Sequence, residues 1–551
     1  APAGRRWALG SGLAGLGLLG LGGAFLAGLR LGRGERQVAL AGAAQATGPG
    51  AAPADEAMAL VERFHAHSAQ SRRAAFTGFP AVDWGAAPPA FKRHPGAPRL
   101  ALAPVAADAP GARNAPGALA ALGAALWLTA GVTERRGGLA LRASPSSGAL
   151  FSTELYVAAT ALPGLAPGLW HYDAEGHALV RLRDGAPDAA ELGLPAAPGA
   201  APAARVIATA VFRRTGRKYR DRAYRYVLAD LGHALENLRV AATALGFDAH
   251  LVAAFDGPRL AATLGLDEDE EGVLALMEFS LARPGTLPRQ GGASCPVPGS
   301  ESLSPPPLPR ALPPLGVTGA VHRATSLRAG TVSGEDMALP GPAPAAVAAS
   351  APRQARAVVL PAIAPSASSD VLRRIATRRS VRRFAPTPVP LPALAGVLAA
   401  LAQPPLLSAA IRVDVVAHAV AGLDPGVWRM GADGRVLHPR RVPLAPAALR
   451  AAARAAALDQ DVIGDAAAVL VLSADRAVLA RDGCGAARGY RHAFLEAGLV
   501  GERVYLEAAA RGLGACAVGA FYDDEAEALL GVDPAREWVL HFAALGVPAG
   551  G

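Results

Sequence analysis

Two distant stretches of this 551-residue chain repeat one series of signals in one order. Each opens on an apolar helix pattern and passes to a strand with a Gly-aliphatic-Trp start. That strand is Gly168-Leu169-Trp170-His171-Tyr172 in the first stretch and Gly426-Val427-Trp428-Arg429-Met430 in the second. Each then runs through a long apolar helix to a small-residue turn, at Leu245-Gly246-Phe247-Asp248 and Leu513-Gly514-Ala515-Cys516. Each closes with Leu-Gly-aliphatic-Asp before a last apolar strand, Leu264-Gly265-Leu266-Asp267 and Leu530-Gly531-Val532-Asp533. Self-similarity on this scale reads as duplication of a whole domain.

The repeat sets the expected organisation. Residues 1–54 form an apolar N-terminal segment with a linker, 55–282 a first domain, 283–369 a Pro/Gly/Ala-rich linker and 370–551 a second domain. A short island, Val321-His322-Arg323-Ala324, interrupts the linker. Within the domains the pattern predicts helices over Ala115–Leu128, Tyr226–Leu245, Leu391–Leu401 and Tyr490–Arg511. It predicts closing strands at Ala275–Ala282 and Trp538–Leu545.

Composition excludes some functions. Hydrophobic residues are 52% and charged residues 18%, enough apolar material for two sizeable cores. The net charge of +9 comes mainly from scattered Arg, with no basic block interleaved with aromatics, which argues against nucleic-acid binding. Cys295, Cys484 and Cys516 show no metal-ligand spacing, so neither a metal site nor a disulfide framework is expected. Cys484 and Cys516 read as small buried apolar residues.

Residues 7–29 form an uncharged apolar run behind Arg5-Arg6, long enough to span a bilayer as a helix. The run reads as a membrane anchor or as a twin-arginine-like export signal with a small-residue cleavage site near Ala44-Gln45-Ala46. The alternative is a start without targeting function, which leaves the protein cytoplasmic.

Several motifs carry chemistry. They are Pro145-Ser146-Ser147-Gly148, Lys218-Tyr219, Arg378-Arg379-Ser380-Val381-Arg382 and Gly519-Ala520. Taken with Gly168–Asp173 and their order across the repeats, these segments resemble the nitroreductase superfamily of flavoproteins. More narrowly they are similar to SagB-type dehydrogenases, which include azoline oxidases of peptide natural-product pathways. The resemblance covers most of 55–282 and 370–548. It implies an α+β fold with a mixed sheet flanked by helices. It also implies FMN bound between two subunits, here the two halves of one pseudo-dimeric chain.

Residue by residue, the resemblance implies a composite site. Arg378, Arg379, Ser380 and Arg382 are implied to bind the cofactor. In an extended segment Arg378, Ser380 and Arg382 point to one side, placed to grip the FMN phosphate through forked guanidinium donors and a hydroxyl. The other reading of this run is a solvated basic helix end. The first half keeps only Arg113 in the corresponding region. Pro145, Ser146, Ser147 and Gly148 are implied to meet the flavin ring edge from the opposite half, where the plain alternative is an ordinary turn. The second half passes quickly through Leu401-Ala402-Gln403-Pro404-Pro405 and lacks this segment. Gly519 and Ala520 are implied to bring backbone N–H groups to the ring, small residues permitting close approach. Lys218 and Tyr219 are implied to be the proton-transfer pair, against the alternative of a surface Lys beside a packing Tyr. The second half has Arg488-Gly489-Tyr490 instead. His233 and Asn237, one turn apart on a helix, have a substrate-side reading and a helix-packing reading.

The functional expectation is an FMN-dependent oxidoreductase with one composite site per chain. By the resemblance it oxidises a heterocycle or peptide-derived substrate. The alternatives are a nitro or quinone reductase using NAD(P)H as reductant, and a scaffold protein without flavin.

Overall fold

A computed structural model describes residues 53–73, 86–106, 117–195, 201–281, 315–328, 357–366, 370–440, 442 and 444–550. The apolar run at 7–29, Arg113 and Cys295 lie outside the described residues. In order, the first half contains α1 (Pro53–Ser68), β1 (Arg99–Ala101), α2 (Ala118–Ala130), β2 (Val132–Arg136), β3 (Leu139–Arg142), β4 (Thr153–Ala159), β5 (Gly168–Asp173), β6 (Ala178–Asp184) and β7 (Ala204–Val211). It continues with α3 (Phe212–Tyr219), α4 (Ala223–Ala244), β8 (Phe247–Val252), α5 (Gly257–Leu264) and β9 (Glu271–Leu281).

The second half contains α6 (Thr318–Ala324), β10 (Val358–Val359), α7 (Val371–Thr377), β11 (Val389–Pro390), α8 (Leu391–Leu401), β12 (Ile411–Ala417), β13 (Val420–Ala421), β14 (Gly426–Met430) and β15 (Val436–Pro439). It continues with α9 (Pro446–Ala456), α10 (Asp461–Gly464), β16 (Ala468–Asp475), α11 (Arg476–Leu479), α12 (Ala486–Ala510), β17 (Gly514–Val518), α13 (Asp523–Leu530) and β18 (Glu537–Gly546).

The two halves are two copies of one α+β architecture. The first sheet has the order β1-β6-β5-β4-β7-β9-β8 and the second β10-β15-β14-β12-β16-β18-β17, the same order element for element. Neighbours within each seven-stranded sheet pair antiparallel, and a parallel pair, β11–β13, sits beside the second. Even the irregularities repeat: β7–β9 shifts register between Ala208 and Thr209, and β16–β18 between Leu472 and Ser473. The central strands β4, β7 and β16 are buried along almost their whole length, which is why they read as unbroken apolar runs.

The segment read as linker contains part of the repeat. Helix α6 copies the end of α1: the Ser68 hydroxyl donates to Phe64 O (2.8 Å), as the Thr325 hydroxyl donates to Val321 O (2.9 Å). Strand β10 takes the sheet position of β1. Each of these helices packs on the other half. His65 of α1 stacks on Trp538 (4.1 Å), and His322 of α6 packs on Phe212 (5.2 Å). The two halves thus exchange their first helices.

Helices α4 and α12 cross at the centre. A Cβ on Gly232 would fall 2.7 Å from Gly498 Cα, and one on Gly498 would fall 2.7 Å from Gly232 Cα. Two backbones approach this closely only where neither residue carries a side chain. Aligning Gly232 with Gly498 pairs Arg222 with Arg488, Arg225 with Arg491, Asp230 with Glu496, His233 with Leu499, and Glu236 with Glu502. Side-chain contacts bear this out. Arg222 Nε donates to Tyr226 Oη (3.0 Å) and Nη1 to Ser68 O (2.9 Å), while Arg488 Nε donates to His492 Nε2 (3.1 Å) and Nη1 to Thr325 O (3.2 Å). Arg488 therefore corresponds to Arg222 and not to Lys218, which corrects the sequence comparison of Arg488-Gly489-Tyr490 with Lys218-Tyr219. Cys484, read from the sequence as a small buried apolar residue, is disulfide-bonded. Spacing rules detect local ligand sets and miss a cross-link between distant segments.

Replacing Gly232 by Ala is expected to destabilise the protein by about 1–3 kcal/mol through overpacking. Chemical denaturation measures this, and an unchanged midpoint would show that the helix crossing tolerates a wider spacing.

Candidate functional site

A cavity of about 190 Å³ lies between the halves, beside the helix crossing. The first half lines it with Pro145–Gly148, Tyr219, Tyr226, Asp230 and His233. The second lines it with Ser380, Arg382, Tyr505, the stretch Cys516–Ala520 and His541, among others. Segments that sequence reading drew from opposite halves thus meet in one cavity.

The loop from Pro145 is held in an unusual shape. Gly148, Ala149 and Phe151 have φ of 64°, 54° and 46°. Two of these are not glycine, so the turn stores strain that its surroundings must offset. Asp230 does so from α4. Its carboxylate accepts from Ser146 Oγ (3.0 Å), Ser147 N (2.8 Å) and Ser147 Oγ (2.9 Å). Ser146 Oγ accepts in turn from Phe151 N (3.0 Å). Burial pushes the Asp230 carboxyl up to about 7, and its three donors oppose that rise. The second half uses the same device: Glu496 accepts from the backbone N–H groups of Leu406 (3.0 Å) and Leu407 (2.8 Å). The loop missing from the sequence comparison is therefore present at 406–408, without the serine pair. Sequence reading did not find Asp230, although it shares a helix face with the flagged His233, three residues on.

Lys218 and Tyr219 end α3 at this loop. A Cβ on Gly148 would lie 2.8 Å from Tyr219 Oη and 3.1 Å from Lys218 Nζ. Only glycine leaves room there for both polar ends. The Lys218 ammonium stands 5.2 Å from the Tyr219 ring centre. Burial raises the Tyr219 hydroxyl well above the usual phenol range, helped by Tyr226 and Asp230. Arg220, at φ 53°, turns the chain sharply after the pair. The structurally corresponding helix α11 is four residues long against eight in α3, so nothing in the second half matches the pair.

The arginine run is extended, and its side chains separate as alternation dictates. Ser380 and Arg382 line the cavity, and Ser380 Oγ lies 2.9 Å from Tyr505 Oη. Tyr505 Oη also accepts from Ala517 N (2.7 Å). Arg378 is buried behind them, donating through Nε to Ala143 O (3.0 Å) and lying over the Tyr505 ring (4.9 Å). Its Nη1 is buried without a partner. Arg378 and Arg382 both act to lower the Cys516 thiol, which burial raises. Arg379, expected among the cofactor-binding residues, is not in the cavity lining and pairs with Glu134. Gly519 and Ala520 form part of the wall, where a Cβ on Gly519 would strike the Tyr226 ring at 2.9 Å.

Of the flagged helix pair, His233 lines the cavity and Asn237 is fully buried outside its lining. Asp482, Cys484 and His492 cluster closely enough for a metal ion. Cys484 is disulfide-bonded, so its sulfur is not a thiolate ligand. No helix among the described residues is long and apolar enough to cross a membrane.

The family model described as the nitroreductase family matches residues 108–279 and again 375–547. A Methanocaldococcus jannaschii protein that carries the nitroreductase name is 36% identical over 138 residues, 24% of this chain. The match spans 65% of that curated relative's own length, just under two thirds. Among solved structures, an Anabaena variabilis protein named as a nitroreductase aligns over 89% of this chain and 99% of its own. It is 23% identical with a TM-score of 0.70, which speaks to the fold alone. An FMN complex of a Desulfovibrio desulfuricans protein named as a nitroreductase covers 33% of this chain and 87% of its own, at 22% identity and a TM-score of 0.24.

Asp230 makes stability depend on pH. Its folded pKa lies above the unfolded value, so its protonated form favours the folded state and the contribution is lost as pH rises from about 4 to about 7. Denaturation midpoints of wild type and Asp230→Asn across this window are expected to converge toward acid and separate, in favour of the variant, toward neutrality. Parallel profiles would place the titration elsewhere.

Proposed function

This chain belongs to the nitroreductase family, and we propose that it is an FMN-dependent oxidoreductase with one composite flavin site per chain. Within the family we propose a SagB-type dehydrogenase that oxidises a heterocycle in a small or peptide-derived substrate. The observation that carries the reading is the single cavity to which one half brings Ser146, Ser147, Gly148 and Tyr219, and the other brings Ser380, Arg382, Gly519 and Ala520.

The residues present fit the cofactor. Arg382, Ser380 and the unpartnered Nη1 of Arg378 offer charged and neutral donors suited to a phosphate. Gly148 and Gly519 let Lys218, Tyr219 and Tyr226 close on the backbone of the site, because a Cβ at either glycine would strike them. FMN supplies acceptance of a hydride, which no side chain can provide. The protein's share is position and proton handling. Lys218 Nζ and Tyr219 Oη converge at Gly148, where a base can take the proton that leaves carbon in a dehydrogenation. The mirror position has no such pair, because α11 ends before reaching it. These differences support one working site and a partner half that serves as its wall.

Purified protein is expected to hold about one FMN per chain, read from visible absorbance. Mixing it without oxygen with a thiazoline-bearing peptide should bleach the flavin. In Lys218→Ala the flavin should stay bound and the bleaching should fall by about 100-fold or more, the usual scale for a lost acid–base group. Bleaching by NADH with none by the azoline peptide would instead favour the reductase reading. Protein that takes up no flavin would leave the scaffold reading.

A further inference from the structure

His233 and His541 are the least satisfied polar groups in the cavity wall. They are 1% and 4% exposed, and their rings lie 5.4 Å apart at an edge-to-face angle. His233 Nδ1 is 2.8 Å from Ala229 O. A carbonyl oxygen can only accept, so the ring proton sits on Nδ1 and Nε2 is a bare acceptor. That Nε2 has no partner, nor does either nitrogen of His541. Burial holds both imidazoles neutral, His233 down to about 3 and His541 down to about 4. Neutral rings with buried, unpartnered nitrogens carry an uncompensated cost, which a polar group of a ligand at this wall would relieve.

The internal repeat supplies the control. The scaffold arginines and the loop-holding carboxylates occur in both halves, so they serve the fold. The histidines occur on the cavity side alone. Leu499 stands opposite His233 in the helix alignment, and Ala275 holds the strand position of His541, each paired just before the matching register shift. The neighbour of His233 has changed with it. A Cβ on Gly501 would lie 2.7 Å from His233 Nε2, and the position matching Gly501 is Leu235. One side of the pseudo-dimer fills this space with two leucines, the other with an imidazole and a glycine.

Position points to the group they receive. His233 lies one turn along α4 from Asp230, which holds the Ser146–Gly148 loop at the ring end of the cavity. On its other side His233 packs at 5.9 Å on Tyr505, which contacts Ser380 at the phosphate end. We propose that His233 and His541 form a dyad that hydrogen-bonds the hydroxylated chain joining the ring and phosphate of the bound flavin, with His233 Nε2 accepting from an O–H. This rests on the flavin reading above and names the residues that bind the polyol.

The test compares three ligands by equilibrium dialysis: FMN, riboflavin, which lacks the phosphate, and lumiflavin, which lacks the hydroxylated chain. The variants are His233→Leu and His541→Ala, the residues this protein already carries at the matching positions. Each is expected to weaken FMN and riboflavin by about the same factor, on the order of tenfold, and to leave lumiflavin unchanged. His233→Gln, which keeps an acceptor, should recover most of the loss and reports on the site should the leucine variant fold poorly. An equal loss for lumiflavin would place the dyad at the ring and overturn the proposal, as would unchanged FMN affinity in both variants. Wild-type protein that binds none of the three would refute the flavin reading itself.

Discussion

The contact between Gly232 and Gly498 is the constraint from which the rest of the molecule follows. Two helices whose backbones touch bring everything on their facing sides within side-chain reach. From α4 these are Asp230 and His233, and from α12 they are Tyr505 and Glu502. A bulkier residue at the crossing would part the helices and open the wall between them. Charge reinforces the join. Arg222 and Arg225 both reach Asp523 of the other half (2.6 and 2.7 Å), and Arg491 reaches Thr325 and Val273 O. Removing one partner from so buried a set leaves an uncompensated charge, so the join is hard to undo piecemeal.

A near-symmetric frame offers two equivalent positions for a site, and side chains distinguish them. Both positions have a carboxylate holding a loop and an arginine braced on a neighbouring first helix. One position adds Tyr219, His233, Ser380 and Arg382 around open space, with Lys218 beside Gly148. In the other, Leu499 replaces the imidazole and Arg239, the counterpart of Tyr505, is tied to Glu236 (2.6 Å). Duplication within one chain permits this divergence, since a true homodimer must change both sites together.

Much of the frame was legible in the residues. Leu391–Leu401 is a helix at the bounds its apolar pattern predicts, and the Gly168 and Gly426 strands are matching members of their sheets. The motifs later found around the cavity were also legible, because small residues and clustered charge mark places where a backbone must turn or a ligand must approach. Asp230 was not, since one acid on a long apolar helix looks like a solvated position until the loop it holds is in view. The register of Arg488 was misjudged because Arg and Tyr recur nearby, and only shared hydrogen-bond partners decide which pairs correspond. The role of the 315–328 segment was hidden by its Pro-rich flanks.

By itself the sequence determined that a domain is doubled and that each copy alternates helices with buried strands, and it singled out short segments that line the cavity between the halves. These are local properties, set by periodicity, turn residues and composition within a few residues of each site. Only the tertiary structure decided that Asp230 holds the Ser146–Gly148 loop, that the first helices are exchanged, and that His233 Nε2 and both nitrogens of His541 are left without partners. Those outcomes depend on contacts between residues far apart in the chain, such as His65 with Tyr490 (3.2 Å). No local signal encodes such contacts, because they arise when two complete surfaces pack and exclude water between them.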